Sequence, residues 1–409
     1  MIRFIHTADV HFGMENYGRI DPKTGIHSRL LDFYHAFSFC VDRAITEEVD
    51  FFLFSGDAYK TANPSPTQQR LLVECFLKLY KANIPIVLIV GNHDNPLSFG
   101  KAHALALFGQ LPLDGFHVIA RPTSFTLKTK SGPVQIVGMP WPSRATIALQ
   151  THKLFSSASE LAGYIGDAAA LIIDDYAQKL DPSIPAVLTG HLTVASGIFS
   201  GSEKRALYGA DPTLLSSQLA IEPFDYVALG HLHRYQNLNE QGSIPLVYSG
   251  SIERIDFGER KEEKGFCLVT IHDKQKTTHE FIKTPTRPFI QIETHLEHAQ
   301  SHTEQLINEI KQHNVQNSIV KIVYHVPPDQ KDRVDVAAIQ RAVAHAHYLV
   351  GIFPVRAPQI RKHRIQLTVD MSLKQLLGSY FATKPALKNK QDHLVKKALE
   401  LETEIQQAE

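Results

Sequence analysis

Short apolar runs alternate with longer segments of mixed polarity along the first half of this chain. The runs are apolar at successive positions, as in strands buried on both faces, and the segments between them carry apolar residues at helical spacing. The pattern therefore predicts a sheet that is covered on both sides. The predicted strands are 2–6, 50–55 and 85–90, and the predicted helices are 29–48 and 67–81.

The pattern then becomes richer in strands. The predicted elements are a hairpin of strands 124–130 and 133–138 around Ser131-Gly132, a helix at 159–179, strands 186–189 and 226–229, and strands 245–248, 265–271 and 278–283, which complete a second sheet. Strands that alternate with helices and are followed by more strands predict two sheets packed face to face between outer helices. The expected fold class is α/β, with a four-layer α/β/β/α core.

Two prolines in the segment 284–288 interrupt both helix and sheet and predict a domain boundary. The expected domains are a core at 1–284, a small α+β capping domain at 285–370 and a helical segment at 371–409. The capping domain is predicted to contain strands 289–294, 318–326 and one near 360–369, with helices 302–312 and 334–344. The terminal helices, 372–381 and 388–405, carry one apolar stripe without a core of their own, which predicts that they dock on a partner.

Composition limits the partners and the compartment. The chain has 409 residues, long enough for two or three domains, and its 42 Lys and Arg residues balance 42 Asp and Glu residues. If DNA is the substrate, its affinity must then come from a local basic patch, from metals or from a partner. No apolar run is long enough for a membrane span, and the N-terminus lacks a signal-peptide pattern. The separated Cys40, Cys75 and Cys267 are expected to be buried free thiols of a cytoplasmic protein.

Five polar fragments follow predicted strands and share the same few residue types. They are Asp9-Val10-His11, Gly56-Asp57, Gly91-Asn92-His93-Asp94, Gly190-His191 and Gly230-His231-Leu232-His233. Residues two apart at a strand end point the same way, so each Asp-x-His or His-x-His pair can face one side of a site. The combined set suits two divalent metals that share a carboxylate and clamp the oxygens of a phosphate ester. The set therefore predicts a metal-dependent phosphoesterase.

Taken singly, these fragments have structural explanations. An Asp-x-His pair occurs by chance, and a Gly-Asp pair is a common turn. Asp94 could be a helix N-cap or a catalytic group, and both readings stay open. His93 could protonate a leaving alkoxide or stabilise the charged transition state. The prediction of a metal site thus depends on the five fragments together.

The fragments resemble those of the calcineurin-like metallophosphoesterases. Three further segments resemble the SbcD-type DNA repair nucleases of that superfamily. They are the segment 248–259, the tripeptide Lys264-Gly265-Phe266 and the segment 63–67. The resemblance covers the core densely and the remainder of the chain only in layout.

The resemblance implies a ligand set and a reaction. One metal would be held by Asp9, His11, Asp57 and His233, and the other by Asp57, Asn92, His191 and His231, so that Asp57 bridges two ions, usually Mn²⁺. A water would attack phosphorus, and His93 would assist the leaving 3′ oxygen. The implied activities are 3′-to-5′ double-strand exonuclease and single-strand endonuclease in the processing of DNA breaks and hairpins.

The resemblance also implies partners and a location. The family works as a homodimer on DNA, bound through C-terminal helices to a coiled-coil ATPase called SbcC. Helices 372–381 and 388–405 would form that contact, and 289–369 would be the cap that sorts DNA shapes. The implied location is cytoplasmic and nucleoid-associated.

One position departs from the pattern of related enzymes. Three residues after Asp57, those enzymes commonly carry Asp or His beside the catalytic histidine, whereas this chain has Lys60. A lysine ammonium cannot orient His93 by accepting its proton. Either Lys60 contacts a DNA phosphate or its side chain points to solvent. The departure leaves the balance of exonuclease and endonuclease activity open.

Three other candidates have two readings each. Arg254 could contact DNA, or it could brace the site through an ion pair with Glu253. The cluster 361–364, of sequence Arg-Lys-His-Arg, could touch a phosphate backbone or be a solvated face. Trp141 between two prolines favours a packing anchor over a platform for base stacking.

Two rival functions compete with the nuclease. A phosphodiesterase or phosphatase for nucleotides or other small phosphoesters would use the same metal centre, but it would not need the cap and terminal helices. A DNA-end-binding scaffold with weak or structural metals would not need every ligand at once. We therefore favour the nuclease.

Overall fold

The structure is a computed structural model. It describes residues 1–96, 101–110, 114–146, 155–201, 211–297, 301–328, 330–356, 371–382 and 385–408. The predicted strand near 360–369 and the basic cluster 361–364 lie outside these residues. Cys40, Cys75 and Cys267 are all buried and free, as predicted.

Strands and helices alternate through the first half of the described chain and give way to more strands beyond it. The strands are β1 (Ile2–Thr7), β2 (Phe51–Phe54), β3 (Ile86–Ile89), β4 (Phe116–Ile119), β5 (Thr123–Thr129), β6 (Gly132–Met139), β7 (Ala186–His191), β8 (Thr193–Val194), β9 (Thr213–Leu214), β10 (Tyr226–Gly230), β11 (Gln236–Asn237), β12 (Leu246–Tyr248), β13 (Gly265–Asp273), β14 (Lys276–Lys283), β15 (Phe289–His295), β16 (Ile319–Val326) and β17 (Tyr348–Arg356). The helices are α1 (Ser28–Thr46), α2 (Pro66–Lys81), α3 (Ala106–Gln110), α4 (Ala158–Gln178), α5 (Ser216–Leu219), α6 (His302–Lys311), α7 (Val336–Ala342), α8 (Leu373–Ala382) and α9 (Gln391–Ala408). None of the described helices is long and apolar enough to cross a membrane.

Two six-stranded sheets form the core. Their strand orders are β14-β13-β1-β2-β3-β4 and β11-β12-β10-β7-β6-β5. Strands β1 to β4 are mutually parallel, and so are β12, β10, β7 and β6. The prediction that β13 and β14 complete the second sheet was wrong, because β13 pairs antiparallel with β1 and extends the first sheet. Local polarity shows that a strand is half or fully buried, but it does not show which neighbour the strand pairs with.

The apolar strand β2 shows how the layers arise. Phe52 and Phe54 face α1 and α2, where they pack near Phe37 and Phe76. The alternate residues of β2 face the opposite way, into the core between the two sheets. On the far side, α4 covers the outer face of the second sheet through residues such as Ile173. These three clusters confirm the four-layer α/β/β/α core.

A smaller parallel sheet follows the core, in the order β15-β16-β17. It packs against α6 and α7 around its own apolar cluster, which includes Ile322 and Leu306. The sequence analysis missed β17. That strand carries Gly351 and Pro354, which weaken a strand pattern, and Pro is tolerated there because β17 is an edge strand.

A buried ionic network joins this smaller sheet to the core. The carboxylate of Asp32 in α1 accepts hydrogen bonds from Arg29 at 2.9 Å and from Arg287 at 2.6 and 2.8 Å. Arg287 lies just before β15 and also donates to the carbonyl oxygen of Asn317, at 2.9 Å. Arg29 is fully buried and its guanidinium stacks 5.1 Å from the ring centre of Phe289. Asp32 is thus the shared acceptor that fixes the smaller sheet on α1.

We predict that Asp32→Ala destabilises the protein by about 3 kcal/mol, because Arg287 loses its buried counter-charge and Arg29 keeps only Glu253, at 3.8 Å. Asp42→Ala on the same helix is the matched control. Asp42 is exposed and pairs with Lys78 at 2.8 Å, so its loss should cost less than about 1 kcal/mol. Urea unfolding of both variants measures the difference. Equal losses would contradict a structural role for the Asp32 network.

Candidate metal centre

The predicted site residues meet where the two sheets present the carboxyl ends of their central strands. Asp9 and His11 follow β1, Asp57 follows β2, Asn92 and His93 follow β3, His191 ends β7, and His231 and His233 follow β10. Parallel strands place their carboxyl ends at one edge, which is where open α/β sheets bind ligands. The structure thus brings all eight residues to a single edge of the core.

The loops that carry these residues have an unusual backbone. Asp9, His11, Asp57 and His231 have φ angles of 54°, 49°, 58° and 101°. Non-glycine residues rarely occupy this left-handed region, and such strain clusters at functional sites. The i, i+2 argument from an extended strand was therefore wrong for Asp9 and His11, which lie beyond the end of β1. The loop after β1 sets the direction of these two side chains. Hydrogen bonds from Asp9 N to Gly56 O and from His11 N to Asp57 O, both 3.0 Å, hold it beside the loop that carries Asp57.

Two glycines make room for predicted ligands. Gly56 has a φ of +100°, and a Cβ there would come within 2.4 Å of the His191 ring. A Cβ on Gly91 would come within 2.1 Å of Asp57 Oδ1. Any larger residue at either position would displace a predicted ligand.

The predicted ligand atoms form two groups that meet at Asp57. In the first, His11 Nε2 lies 3.1 Å from His233 Nε2 and 3.7 Å from Asp57 Oδ2. In the second, His191 Nε2 lies 2.9 Å from Asn92 Oδ1 and 3.3 Å from the same Asp57 oxygen. Asp9, His11 and His233 offer ligand atoms within 4.8 Å of one another, and so do Asp9, Asp57 and His191.

These distances fit divalent cations. Ligand atoms about 2.1 Å from a metal at right angles to one another lie about 3 Å apart, which is the spacing within both groups. Two ring nitrogens that face each other, as in His11 and His233, can share at most one hydrogen, whereas both lone pairs can face a cation. In the second group, His231 Nδ1 lies 3.3 Å from Asn92 Oδ1, and His231 Nε2 is buried with no hydrogen-bond partner in the described chain. The donor set of carboxylate, amide and imidazole suits Mn²⁺ and similar ions.

Asp57 and two of the histidines have the protonation states that metal binding requires. Burial alone would raise the pKa of Asp57, but the charge and hydrogen bond of His191 hold it well below its usual range, so Asp57 is ionised. Burial lowers the pKa of His11 and that of His231 well below the ordinary value. Both imidazoles are therefore neutral near pH 7, and a neutral imidazole has the lone pair that a metal requires.

Two histidines are oriented by acceptors behind them. His191 Nδ1 lies 2.8 Å from the carbonyl oxygen of Ser55, which can only accept, so Nδ1 carries a hydrogen. Burial opposes the protonation of this ring, but Asp57 outweighs it and raises the pKa of His191 to about 9, so a cation would take the place of the proton on Nε2. His233 Nδ1 lies 2.9 Å from Glu259 Oε1. Lys264 donates to Glu259 Oε2 at 2.9 Å and to the carbonyl oxygen of His233 at 2.9 Å. Burial opposes the ionisation of Glu259, but Lys264 outweighs it and lowers the pKa of that carboxyl to about 2.

The sequence analysis missed Glu259 and Lys264 as site residues. In the sequence they stood out only because the segments 248–259 and 264–266 resemble those of the SbcD-type nucleases. The resemblance did not show what either side chain contacts. Both side chains are fully buried, with 0% and 2% exposure, although Glu and Lys are rarely buried without a partner. Carboxylates that hold metal-binding histidines are a recurring feature of metal sites.

Asp94 has a structural role that differs from a helix cap. No helix begins at this residue; its carboxylate instead accepts hydrogen bonds from the backbone N–H groups of Asp57, Ala58, Tyr59 and Gly91, at 2.9 to 3.3 Å. Burial, followed by the nearby charge of Asp57, raises the pKa of Asp94 to about 7. Asp94 thus fixes the turn that presents Asp57.

His93 is held by the backbone. Its N–H donates to Asp57 Oδ1 at 2.9 Å, and its ring Nδ1 donates to the carbonyl oxygen of Lys60 at 2.9 Å. His93 therefore has an acceptor at residue 60 although the side chain there is a lysine. The Lys60 side chain is exposed.

Two remaining candidates have packed side chains. The Arg254 guanidinium donates to Thr286 Oγ1 at 2.5 Å and to the carbonyl oxygen of Glu262 at 2.8 Å, so it is used within the protein. The expected ion pair with Glu253 is replaced by one between Glu253 and Arg29, at 3.8 Å. The backbone N–H of Arg254 donates to Glu253 at 2.6 Å. The ring of Trp141 lies 4.8 Å from that of His231, so this anchor packs against a predicted ligand.

A family model and several solved structures match this chain. Residues 2–235, which include all eight predicted site residues, match the family model described as calcineurin-like phosphoesterase. Among solved structures, a Thermus thermophilus protein is 13% identical, with a TM-score of 0.40 over 68% of this chain and 98% of that one. A dimetal phosphatase from Danio rerio is 11% identical, with a TM-score of 0.41 over 68% and 98% of the two chains. The phosphopantetheinyl hydrolase of Mycobacterium tuberculosis is 12% identical, with a TM-score of 0.33 over 60% and 88%.

We predict that Glu259→Gln weakens the binding of Mn²⁺ by about 10- to 100-fold, the usual effect of losing a partner behind a metal-binding histidine. Glu262→Gln is the matched control, because it removes a carboxylate from Lys264 (3.1 Å) and leaves Glu259 on His233. Isothermal titration calorimetry of both variants measures the affinities. Unchanged affinity in Glu259→Gln would show that His233 does not depend on this carboxylate for metal binding.

Proposed function

This chain belongs to the calcineurin-like phosphoesterase family, and from that premise we propose that it is a metal-dependent DNA nuclease of the SbcD type. The proposed activities are 3′-to-5′ exonuclease on duplex DNA and endonuclease on single strands, in the processing of breaks and hairpins. The proposed cofactors are two divalent ions, most simply Mn²⁺. The proposed location is cytoplasmic and nucleoid-associated.

The proposed chemistry divides between the cations and the chain. Two cations held by the predicted ligands would supply positive charge to the oxygens of a phosphodiester and activate a water at neutral pH. The ionised Asp57 lies between the two ligand groups and would touch both. His93 donates from Nδ1 to the carbonyl oxygen of Lys60, so the proton given to the leaving 3′ oxygen would come from Nε2 of the imidazolium form, which becomes neutral imidazole.

One observation supports DNA over small phosphoesters as the substrate. The segment 248–259, whose sequence resembles the SbcD-type nucleases, contacts both the metal centre and the smaller sheet. Glu259 at its end holds His233 (2.9 Å), and Arg254 within it holds Thr286 and the carbonyl oxygen of Arg287, just before β15. A cap tied to a ligand by one short segment suits a substrate that extends beyond the scissile phosphate. A phosphatase for small esters has no need of that connection.

We predict Mn²⁺-dependent shortening of end-labelled duplex DNA from its 3′ end by the purified chain. His93→Ala should lower kcat by about 10²- to 10⁴-fold, because it removes the proton donor. Lys60→Ala is the paired variant. The backbone carbonyl of residue 60 still accepts from His93 in this variant, so kcat should be unchanged. Loss of the exposed ammonium should raise KM for DNA.

Three outcomes would contradict this proposal. Cleavage that persists after a chelator would exclude the metal mechanism. Full activity in His93→Ala would remove that residue from the reaction. Hydrolysis of a small phosphodiester without any cleavage of DNA, in the presence and absence of the ATPase partner, would favour the small-phosphoester enzyme.

We further propose that the chain forms a homodimer and binds an SbcC-like coiled-coil ATPase through α8 and α9. Leu394, Ala398, Leu401 and Ile405 follow one another at helical spacing on α9. Leu401 and Ile405 are 48% and 63% exposed, and no described residue of 371–408 belongs to the apolar clusters of the core or of the smaller sheet. This stripe suits docking against an apolar surface of a partner.

We predict that the double variant Leu401→Asp, Ile405→Asp abolishes co-purification with the ATPase and leaves hydrolysis of bis(para-nitrophenyl) phosphate unchanged. Two buried carboxylates would oppose the apolar contact, whereas the metal centre is remote in sequence and in packing. The control is Glu402→Lys and Glu404→Lys on the same helix, which changes charge outside the stripe. Retained binding in the first variant would overturn the proposed contact.

A further inference from the structure

A cavity of about 1000 Å³ opens beside the metal centre. It lies at the carboxyl ends of β3, β4 and β6, along the same edge of the core as the predicted ligands. Asn92 lines the cavity and also belongs to the second ligand group. The cavity therefore continues directly from the position that a scissile phosphate would occupy. The sequence analysis did not identify it, because the residues around it come from separate loops.

Trp141 forms one wall and is held firmly. Its backbone N–H donates to the carbonyl oxygen of Val90 at 3.1 Å, which joins the end of β6 to the end of β3. Thr146 closes the following turn by donating to the carbonyl oxygen of Trp141 at 2.8 Å and by accepting from Ser143 N at 2.7 Å. The indole ring packs 4.8 Å from His231 and is partly exposed. A fixed and partly exposed aromatic ring is a platform on which a flat ligand can stack.

The rest of the lining carries positive charge. Lys101, Arg121 and Arg144 line the cavity, and all three are exposed. Arg144 lies 5.1 Å from the ring centre of Phe155, a cation–π contact that holds it at the rim. The described lining residues include no Asp or Glu. In a chain of zero net charge this is a local basic patch beside the centre, and it suits phosphate groups.

We propose that this cavity binds an unpaired nucleotide next to the scissile phosphate, with its base stacked on Trp141 and the flanking phosphates near Lys101, Arg121 and Arg144. The inference rests on the proposed function and specifies the substrate of the same site. An internal base of a duplex is stacked on both faces, and a terminal base is still held in its base pair, so the strand must be single or frayed for a base to enter the cavity beside the indole. The cavity would therefore select unpaired strand ends over intact duplex.

The chain itself supplies the probe for this proposal, since Trp141 is its only tryptophan. His93→Ala loaded with the divalent ion that supports cleavage binds without turnover, and a single-stranded thymidine oligonucleotide is titrated into it. We expect saturable quenching of the tryptophan emission, and weaker quenching by a blunt duplex of the same length. Unchanged emission at a concentration where a filter-binding assay shows saturation would overturn the proposal.

Variants separate stacking from support of the metal centre. Trp141→Ala should weaken binding of the oligonucleotide by roughly five- to 100-fold, the range for one base–aromatic stack, and Trp141→Phe should retain most of the affinity. Arg121→Gln should also weaken binding, whereas Lys179→Gln at the end of α4 removes a charge outside the cavity and should not. Hydrolysis of bis(para-nitrophenyl) phosphate should persist in Lys179→Gln, and Trp141→Ala should lose less of that activity than of its affinity for the oligonucleotide, since the small diester requires the centre and not the cavity.

Three further outcomes would overturn this proposal, and one of them would also overturn the proposed function. Equal losses on the oligonucleotide and on the small diester in Trp141→Ala would mean that Trp141 only positions His231, which would overturn the proposal. Wild-type protein that hydrolyses the small diester but neither binds nor cleaves any DNA would overturn the nuclease function and this inference together. Cleavage of DNA with normal affinity in Trp141→Ala would overturn the inference alone.

Discussion

The site depends on one buried carboxylate, that of Asp57, which lies between two groups of ligand atoms. A buried charge is costly unless its partners are in place, and here each partner is fixed by a different part of the fold. His11 and His191 approach it from the two sheets, and the backbone N–H of His93 donates to it. Asp94 fixes the turn that carries it, Gly91 leaves space for it, and Gly56 leaves space for His191 beside it. The packing of the two sheets is therefore what allows the centre to exist.

The same constraint joins the centre to the rest of the chain. His233 is held by Glu259, which is itself held by Lys264, and both come from the short region between β12 and β13. Arg254, in the same region, holds the segment that leads into the smaller sheet. On another side, Trp141 packs on His231 and lines the basic cavity. Trp141 is thus in direct contact with a predicted ligand, and Glu259 joins another, His233, to the region that holds the smaller sheet.

The sequence predicted this edge of the fold well, because apolar runs followed by Gly, Asp and His mark strand ends without any knowledge of pairing. The same alternation of apolar runs and helical segments predicted the four-layer α/β/β/α core. It could not place β13 in the first sheet, since pairing partners are set by long-range contacts. The sequence also did not show the roles of Glu259 and Asp94. An acidic residue is normally expected at the surface, and the donors that allow these two to be buried are known only from the structure. At Lys60 the sequence showed only the side chain, whereas the contact with His93 is made by the backbone carbonyl group that every residue has.

The most direct test of the paired centre is the number of Mn²⁺ ions bound per chain, measured by equilibrium dialysis with metal analysis. The account predicts two ions in the wild-type protein. Asp57→Asn should weaken the binding of both, because the bridging carboxylate would serve both ions, whereas Glu74→Gln on the surface of α2 should weaken neither. A single bound ion in the wild type, or one ion kept at wild-type affinity in Asp57→Asn, would contradict a centre bridged by Asp57.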